Sequence, residues 1–256
     1  MSDDVEQRAR RWRRGDLESV CDVVEPWEHG IVMKAPRYPT YYDYNVVCVE
    51  GDPGLGANEL IAVADELLGE YEHRRLDFTN VDAGERVRAD LAAASWEATR
   101  LLWMRHSGEL PPGPSLPVEE VDYDAVLPLR IAWHDEDFAD LDSTGYLANA
   151  RELAMSRDVQ VIATLEGDEV AGFAQVVREP DAAEITQVYV RPEYRGSGRG
   201  TAMTRAAIEA AGDVADLWIA ADDEDRPKEL YARLGFRPAW TSIEFLRAPG
   251  IAGWTG

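Results

Sequence analysis

VYVRPEYRGSGRG, residues Val188–Gly200, decides how the rest of the chain is read. Val188, Tyr189 and Val190 close a strand, glycines follow at 196, 198 and 200, and the alanine-rich run Thr201–Ala211 has helical composition. A glycine-rich turn between a strand and a helix N-terminus is an anion site. Glycine reaches backbone conformations closed to other residues, and the unpaired N–H groups and the helix dipole stabilise phosphate oxygens. No Gly-Lys-Ser/Thr follows, which excludes a P-loop, and the glycines are spaced GxGxG rather than the GxGxxG of a dinucleotide fingerprint.

Working outward, Val159–Leu165, the Gly167-Asp168 turn and Val170–Val177 read as a hairpin, with Glu184–Val190 as the next strand. Leu217–Ala221 is a buried strand. Asp225 is an N-cap candidate for a helix that opens near Pro227, runs to Leu234 and stops at Gly235. Ala239–Arg247 is a last strand, and Leu127–Arg157 reads as mainly helical. GELPPGPSLP, residues 108–117, has four prolines and two glycines and reads as extended linker. It sets the expected division: a first domain at 1–107, a linker at 108–120 and a second domain at 121–256.

Arg195, Gly198 and Gly200 fill the pattern (Q/R)xxGx(G/A), and LYARLGF, Leu230–Phe236, lies downstream with the expected strand and helix between. Together they resemble motifs A and B of the GNAT superfamily of N-acetyltransferases, a resemblance covering residues 121–256. It implies an α/β (α+β) fold, a mixed, mostly antiparallel twisted sheet flanked by helices, and acetyl-CoA as acyl donor. The strand Val188, Tyr189, Val190 would hold the pantetheine arm through its backbone. The turn Arg195, Gly196, Ser197, Gly198, Arg199, Gly200 would hold the pyrophosphate. The resemblance gives Tyr231 the role of acid toward the departing thiolate and makes Glu184, eleven residues before Arg195, the leading base, with His134, Asp222 or a water chain as alternatives. A base is needed because an alkylamine is mostly protonated near neutral pH. The acceptor would be the amine of a small molecule or peptide. The family often has asparagine seven residues before the tyrosine, where this chain has Glu224. A non-catalytic acyl-CoA sensor is the alternative reading.

The first half repeats the pattern. Asn45–Glu50 is a strand, Gly51–Gly56 a glycine-rich turn, and helix, strand, helix and strand follow at 58–71, 75–78, 83–94 and 98–105. This turn lacks the arginine and carries Pro53, so the expectation is two tandem copies, the first degenerate and unable to bind acetyl-CoA productively.

Composition excludes several classes. With 26 basic and 49 acidic residues the net charge is −23, spread over both halves, which argues against a nucleic-acid partner. No apolar run spans a bilayer and the four histidines have no ligand spacing, so neither membrane nor metal is expected. Two unpaired-looking cysteines fit a reduced cytoplasmic setting, with the chain a monomer or homodimer. Arg8, Arg10, Arg11, Arg13 and Arg14 read as a solvated helix face, and Tyr38, Tyr41, Tyr42 and Tyr44 as packing residues.

Overall fold

The computed structural model describes residues 2–138 and 141–251. In chain order, α1 (Ser2–Val20), β1 (Val23–Trp27), β2 (Gly30–Lys34), β3 (Val46–Val49), α2 (Ala57–Leu67), β4 (Arg74–Phe78), α3 (Val81–Ala93) and β5 (Glu97–His106) precede the proline-rich segment. After it come β6 (Val118–Val121), α4 (Leu127–Asp137), α5 (Thr144–Ser156), β7 (Gln160–Glu166), β8 (Glu169–Arg178), β9 (Ala182–Val190), α6 (Arg199–Ala211), β10 (Asp216–Asp222), α7 (Pro227–Arg233) and β11 (Phe236–Arg247). The helical reading of 127–157 resolves into α4 and α5, with residues 139–140 outside the described set.

Two compact units result. The first comprises Met1–Leu102, Asp222–Glu224 and Ala239–Gly256; the second comprises Trp103–Ala221 and Asp225–Pro238. In the first, β1, β2 and β3 are antiparallel neighbours, β4 lies parallel to β3, and β11 lies antiparallel to β4. In the second, β6 to β9 are antiparallel neighbours and β10 lies parallel to β9. Each unit therefore holds a mixed sheet with one parallel step, and a helix bridges that step: α2 between β3 and β4, α6 between β9 and β10.

The central strands are buried on both faces, continuously over Val46–Val49 in the first unit and over residues 171–177 in the second. In the first unit Val47, Val49, Leu76, Phe78, Ile243 and Phe245 meet Leu60, Ala64, Val87 and Leu91 of α2 and α3. Asn80 caps α3, its side chain accepting from the Asp82 and Ala83 amides. In the second unit α6 packs against β7, β8 and β9, while Phe173 and Tyr189 meet Val126 and Leu129 near α4.

Several sequence expectations differ here. The last strand does not stay with the second half: Ile243, Glu244 and Phe245 pair with Phe78, Asp77 and Leu76, so residues 239–247 complete the first unit. Sequence pattern identifies a strand but not its neighbour. The proline-rich segment is extended, yet it is held to the second unit. The carbonyls that prolines keep still accept: Pro111 O takes Arg205 Nη1, and Pro117 O takes the Leu165 amide at 3.1 Å. Residues 118–120, read with the linker, pair with β7 as part of β6. Asp225 stands one residue before the N-cap of α7, which is Arg226.

Candidate active site

The site begins with a break in pairing. Among the described residues the β9–β10 ladder runs from Ala182/Asp216 to Ile185/Ile219 and ends there, although β9 continues to Val190. The strands diverge, and the backbone of residues 186–190 faces a gap instead of a neighbour. A β-bulge shapes the same stretch. Between the pairs Gln175/Thr186 and Phe173/Tyr189, Ala174 alone faces both Gln187 and Val188, with Gln187 at φ 53°.

Past β9 the chain turns at Pro192–Tyr194 and enters α6 through Gly196 at φ 76° and Gly198 at φ 88°. Only glycine takes such values freely. Gly198 is the N-cap, so the first amides of α6 have no partner within the helix and point outward with its positive dipole end. A side chain at Gly200 would touch Leu230 Cδ1 and Val190 Cγ2, at 3.5 and 3.8 Å, which brings α6, α7 and the end of β9 together.

A cleft of about 910 Å³ opens at this junction. Of the residues singled out from sequence, Val188, Tyr189, Val190, Arg195, Gly196, Gly198, Gly200 and Tyr231 line it. Tyr231 is 5 % exposed; burial, aided by the Asp225 charge, pushes its phenol well above the usual range and keeps it protonated.

Three of the expected residues are elsewhere. Ser197 Oγ donates to Tyr194 O at 2.6 Å, and the buried Arg199 side chain pairs with Glu166 beneath the Tyr194 ring. Those two positions can offer only backbone amides to the cleft. Glu184 is outside the lining as well, half-buried at a position where β9 is still paired on both sides, with Val177 and Trp218.

The Acetyltransferase (GNAT) family model matches residues 123–236. Those residues form a GNAT-family acetyltransferase domain. Its relatives include the mycothiol acetyltransferase of Nocardia farcinica, 40 % identical over 87 residues, which are 32 % of this chain and 28 % of that protein. The chain spans only 22–36 % of the length of the mycothiol acetyltransferases it matches. Among solved structures, a functionally unknown conserved protein from Staphylococcus epidermidis superposes with a TM-score of 0.67 at 14 % identity, covering 89 % of this chain and 94 % of that one. A tandem GNAT protein from the clavulanic acid biosynthesis pathway superposes at 0.50 and 16 %, covering 85 % and 73 %. Likeness at this identity is a likeness of fold.

The GNAT domain also brings residues to the cleft that sequence reading did not name: Trp133, Glu136 and Asp137 of α4. The Trp133 ring stacks on Tyr189 at 5.3 Å. Glu136 accepts from Tyr189 Oη at 2.5 Å and from Arg195 Nη2 at 2.7 Å, and Arg195 Nε donates to the Val190 carbonyl at 2.9 Å. Burial pushes Glu136 up, but those two donors outweigh it and leave the carboxyl below its ordinary range. Asp137 goes the other way, raised by burial and by the Glu136 charge. Their spacing, three and four residues after Trp133, puts them on one helix face. Helical periodicity was the only signal there, and it names no partner. Glu224, in place of the family asparagine, is held by Arg88 at 2.9 and 3.0 Å.

The first unit contrasts with this geometry. Its β3–β4 ladder continues to Val49/Phe78, and the Thr79 amide then donates to Val49 O at 3.0 Å, so no gap opens. In its glycine turn, the Gly54 amide donates to Asp52 and the Gly56 amide to Glu59, at 2.9 and 2.8 Å. The solvated helix face expected of the arginines holds in part: Arg11 is exposed, and Arg10 and Arg14 pair along the helix with Glu6 and Glu18, yet Arg10, Arg11, Arg13 and Arg14 also line a cavity of about 330 Å³, where Arg13 pairs with Asp77 at 3.2 Å. The Asp77 and Glu244 carboxylates of β4 and β11 draw Arg13 in. Among the described residues no cluster of three or more His, Cys, Asp or Glu is placed to hold a metal ion, and no helix is long and apolar enough to cross a membrane.

Proposed function

We propose that the chain is an acetyl-CoA-dependent N-acetyltransferase that moves an acetyl group to a primary amine by direct attack on the thioester. The observation that carries this reading is the divergence of β9 from β10 beside the Gly196–Gly200 turn, with Tyr231 in the same cleft. The residues fit such a donor. The backbone of Val188–Val190 has no β10 partner, which suits an extended amide-bearing arm, and the first amides of α6 suit its pyrophosphate.

Tyr231, kept protonated by burial, donates to the sulfur as the C–S bond breaks. Two carboxylates are candidates for taking the proton of the incoming amine. Glu184 is the one implied by family resemblance, and it lies outside the cleft lining. Asp137 lines the cleft, and its raised basicity suits it better to hold a proton. The paired first unit, with its turn amides already satisfied, supports a degenerate copy that binds no acetyl-CoA.

The test is free-thiol release from acetyl-CoA across a panel of primary amines. Tyr231→Phe should lower kcat by about 10²–10⁴-fold while coenzyme A affinity stays unchanged. Asp137→Asn and Glu184→Gln compared at several pH values identify the base. Coenzyme A binding with no turnover of any amine, and no effect of Tyr231→Phe, would favour the acyl-CoA sensor.

A further inference from the structure

Arg130, on α4, is 3 % exposed. Its guanidinium lies 5.4, 5.7 and 5.8 Å from the rings of Tyr123, Tyr146 and Phe173. Nη2 donates to Tyr146 Oη at 3.1 Å, and the described residues give it no carboxylate partner. Burying a cation without a counter-ion is costly, and aromatic faces offset only part of that cost. A leucine or methionine would fill the same space without the charge. Beyond its bond to Tyr146, the guanidinium reaches a strand residue that those side chains could not hold: Nη1 donates to the side-chain oxygen of Gln187 at 3.3 Å.

Gln187 is the bulged residue, a non-glycine at φ 53°. Such a residue persists in the left-handed region only when its surroundings hold it there. The bulge decides which way the following residues face. Directly paired residues share a face, so Tyr189 lies with Phe173 and Gln175 while Val190 lies opposite, with Gly172. Without the extra residue Tyr189 and Val190 would exchange faces. Tyr189 would leave Glu136, and the Val190 side chain would leave Gly200.

We propose that Arg130 is a positioning residue that clamps Gln187 and so holds the β9 bulge in the form the acyl donor needs. The proposal rests on the reading that the donor lies along β9. One helix then does two jobs: its Arg130 turn sets the strand, and its next turn supplies Trp133 and Glu136 to the cleft.

Calorimetric titration of the full chain with coenzyme A tests it. Gln187→Ala and Arg130→Met should each weaken binding by about tenfold, the value expected for a lost hydrogen bond to a charged group. The double variant should bind no worse than the weaker single one, because both remove the same contact. Gln187→Glu, which keeps an acceptor and adds a counter-ion, should bind within about twofold of the unaltered chain. Melting curves check each fold, and if Arg130→Met unfolds, the two Gln187 variants decide alone. Unchanged affinity in Gln187→Ala, or losses that multiply in the double variant, overturns the clamp. An unaltered chain that fails to bind coenzyme A overturns the donor reading, and the clamp with it.

Discussion

His73 is fully buried, with Nε2 donating to the Asn45 carbonyl at 2.9 Å and the Tyr42 ring stacked on it at 4.2 Å. Burial lowers it to about 4, against about 6.5 in an unfolded chain. Between those values the unfolded state binds the extra proton, so stability rises with pH across the window. The neutral ring's contribution is fully present above about 6.5 and is lost as pH falls toward 4. Its size is about 3 kcal/mol as an order of magnitude. His73→Phe keeps the stacking and should flatten this loss, read as urea midpoints at pH 4.5 and 7; parallel profiles for the two proteins would refute it. Nothing in the sequence marks this histidine, because its partners come from a loop 28 residues earlier. Arg195, Gly196, Gly198 and Gly200 were legible because backbone geometry and charge demand those residue types. Glu136 and Asp137 were not: a carboxylate on a helix looks the same whether it meets solvent or a cleft.

At the scale of elements, Gly198 is both the N-cap of α6 and a left-handed residue at φ 88°. A Cβ there would meet Pro114 Cγ at 3.5 Å, an ordinary contact, so the cost of Gly198→Ala is backbone strain, about 1–2 kcal/mol. Relief of that strain would move the turn, so coenzyme A affinity should fall along with the melting temperature. Gly198→Asn should lose less of both, since asparagine tolerates the left-handed region. Equal losses for the two variants would place the cost in side-chain crowding instead. Hairpin, helix and turn signals recovered nearly every element around this glycine, because local propensity and hydrophobic period govern them. The bulge escaped notice: glutamine carries no turn signal, and only the register between β8 and β9 reveals the extra residue. β6 was hidden in the same way, since Val118–Val121 shows too little hydrophobic alternation beside four prolines.

For the whole molecule, the repeat order was readable but the destination of the last strand was not. Hydrophobic pattern says that Ala239–Arg247 is extended; its partner depends on register and on the surface left uncovered. In the first unit that surface is β4, where Ile243 and Phe245, both fully buried, join Leu76, Phe78 and Leu91. The fit beneath α3 is close, since a side chain on Gly84 would collide with Ile243 Cγ2. Glu244 also meets Arg75 at 2.6 Å in the network of Arg13 and Asp77. A fragment of residues 1–107 therefore lacks part of its own core and leaves the buried Arg75 without its Glu244 partner. Removing one partner of such a network is severe, about 3–5 kcal/mol, before the apolar loss is added. Against a typical domain stability of about 5–15 kcal/mol, the fragment should show no cooperative unfolding transition in urea. In the full chain Phe245→Ala should cost about 3–5 kcal/mol and speed amide exchange in β3 and β4. A fragment 1–107 that unfolds cooperatively would mean that the first unit closes its sheet without β11.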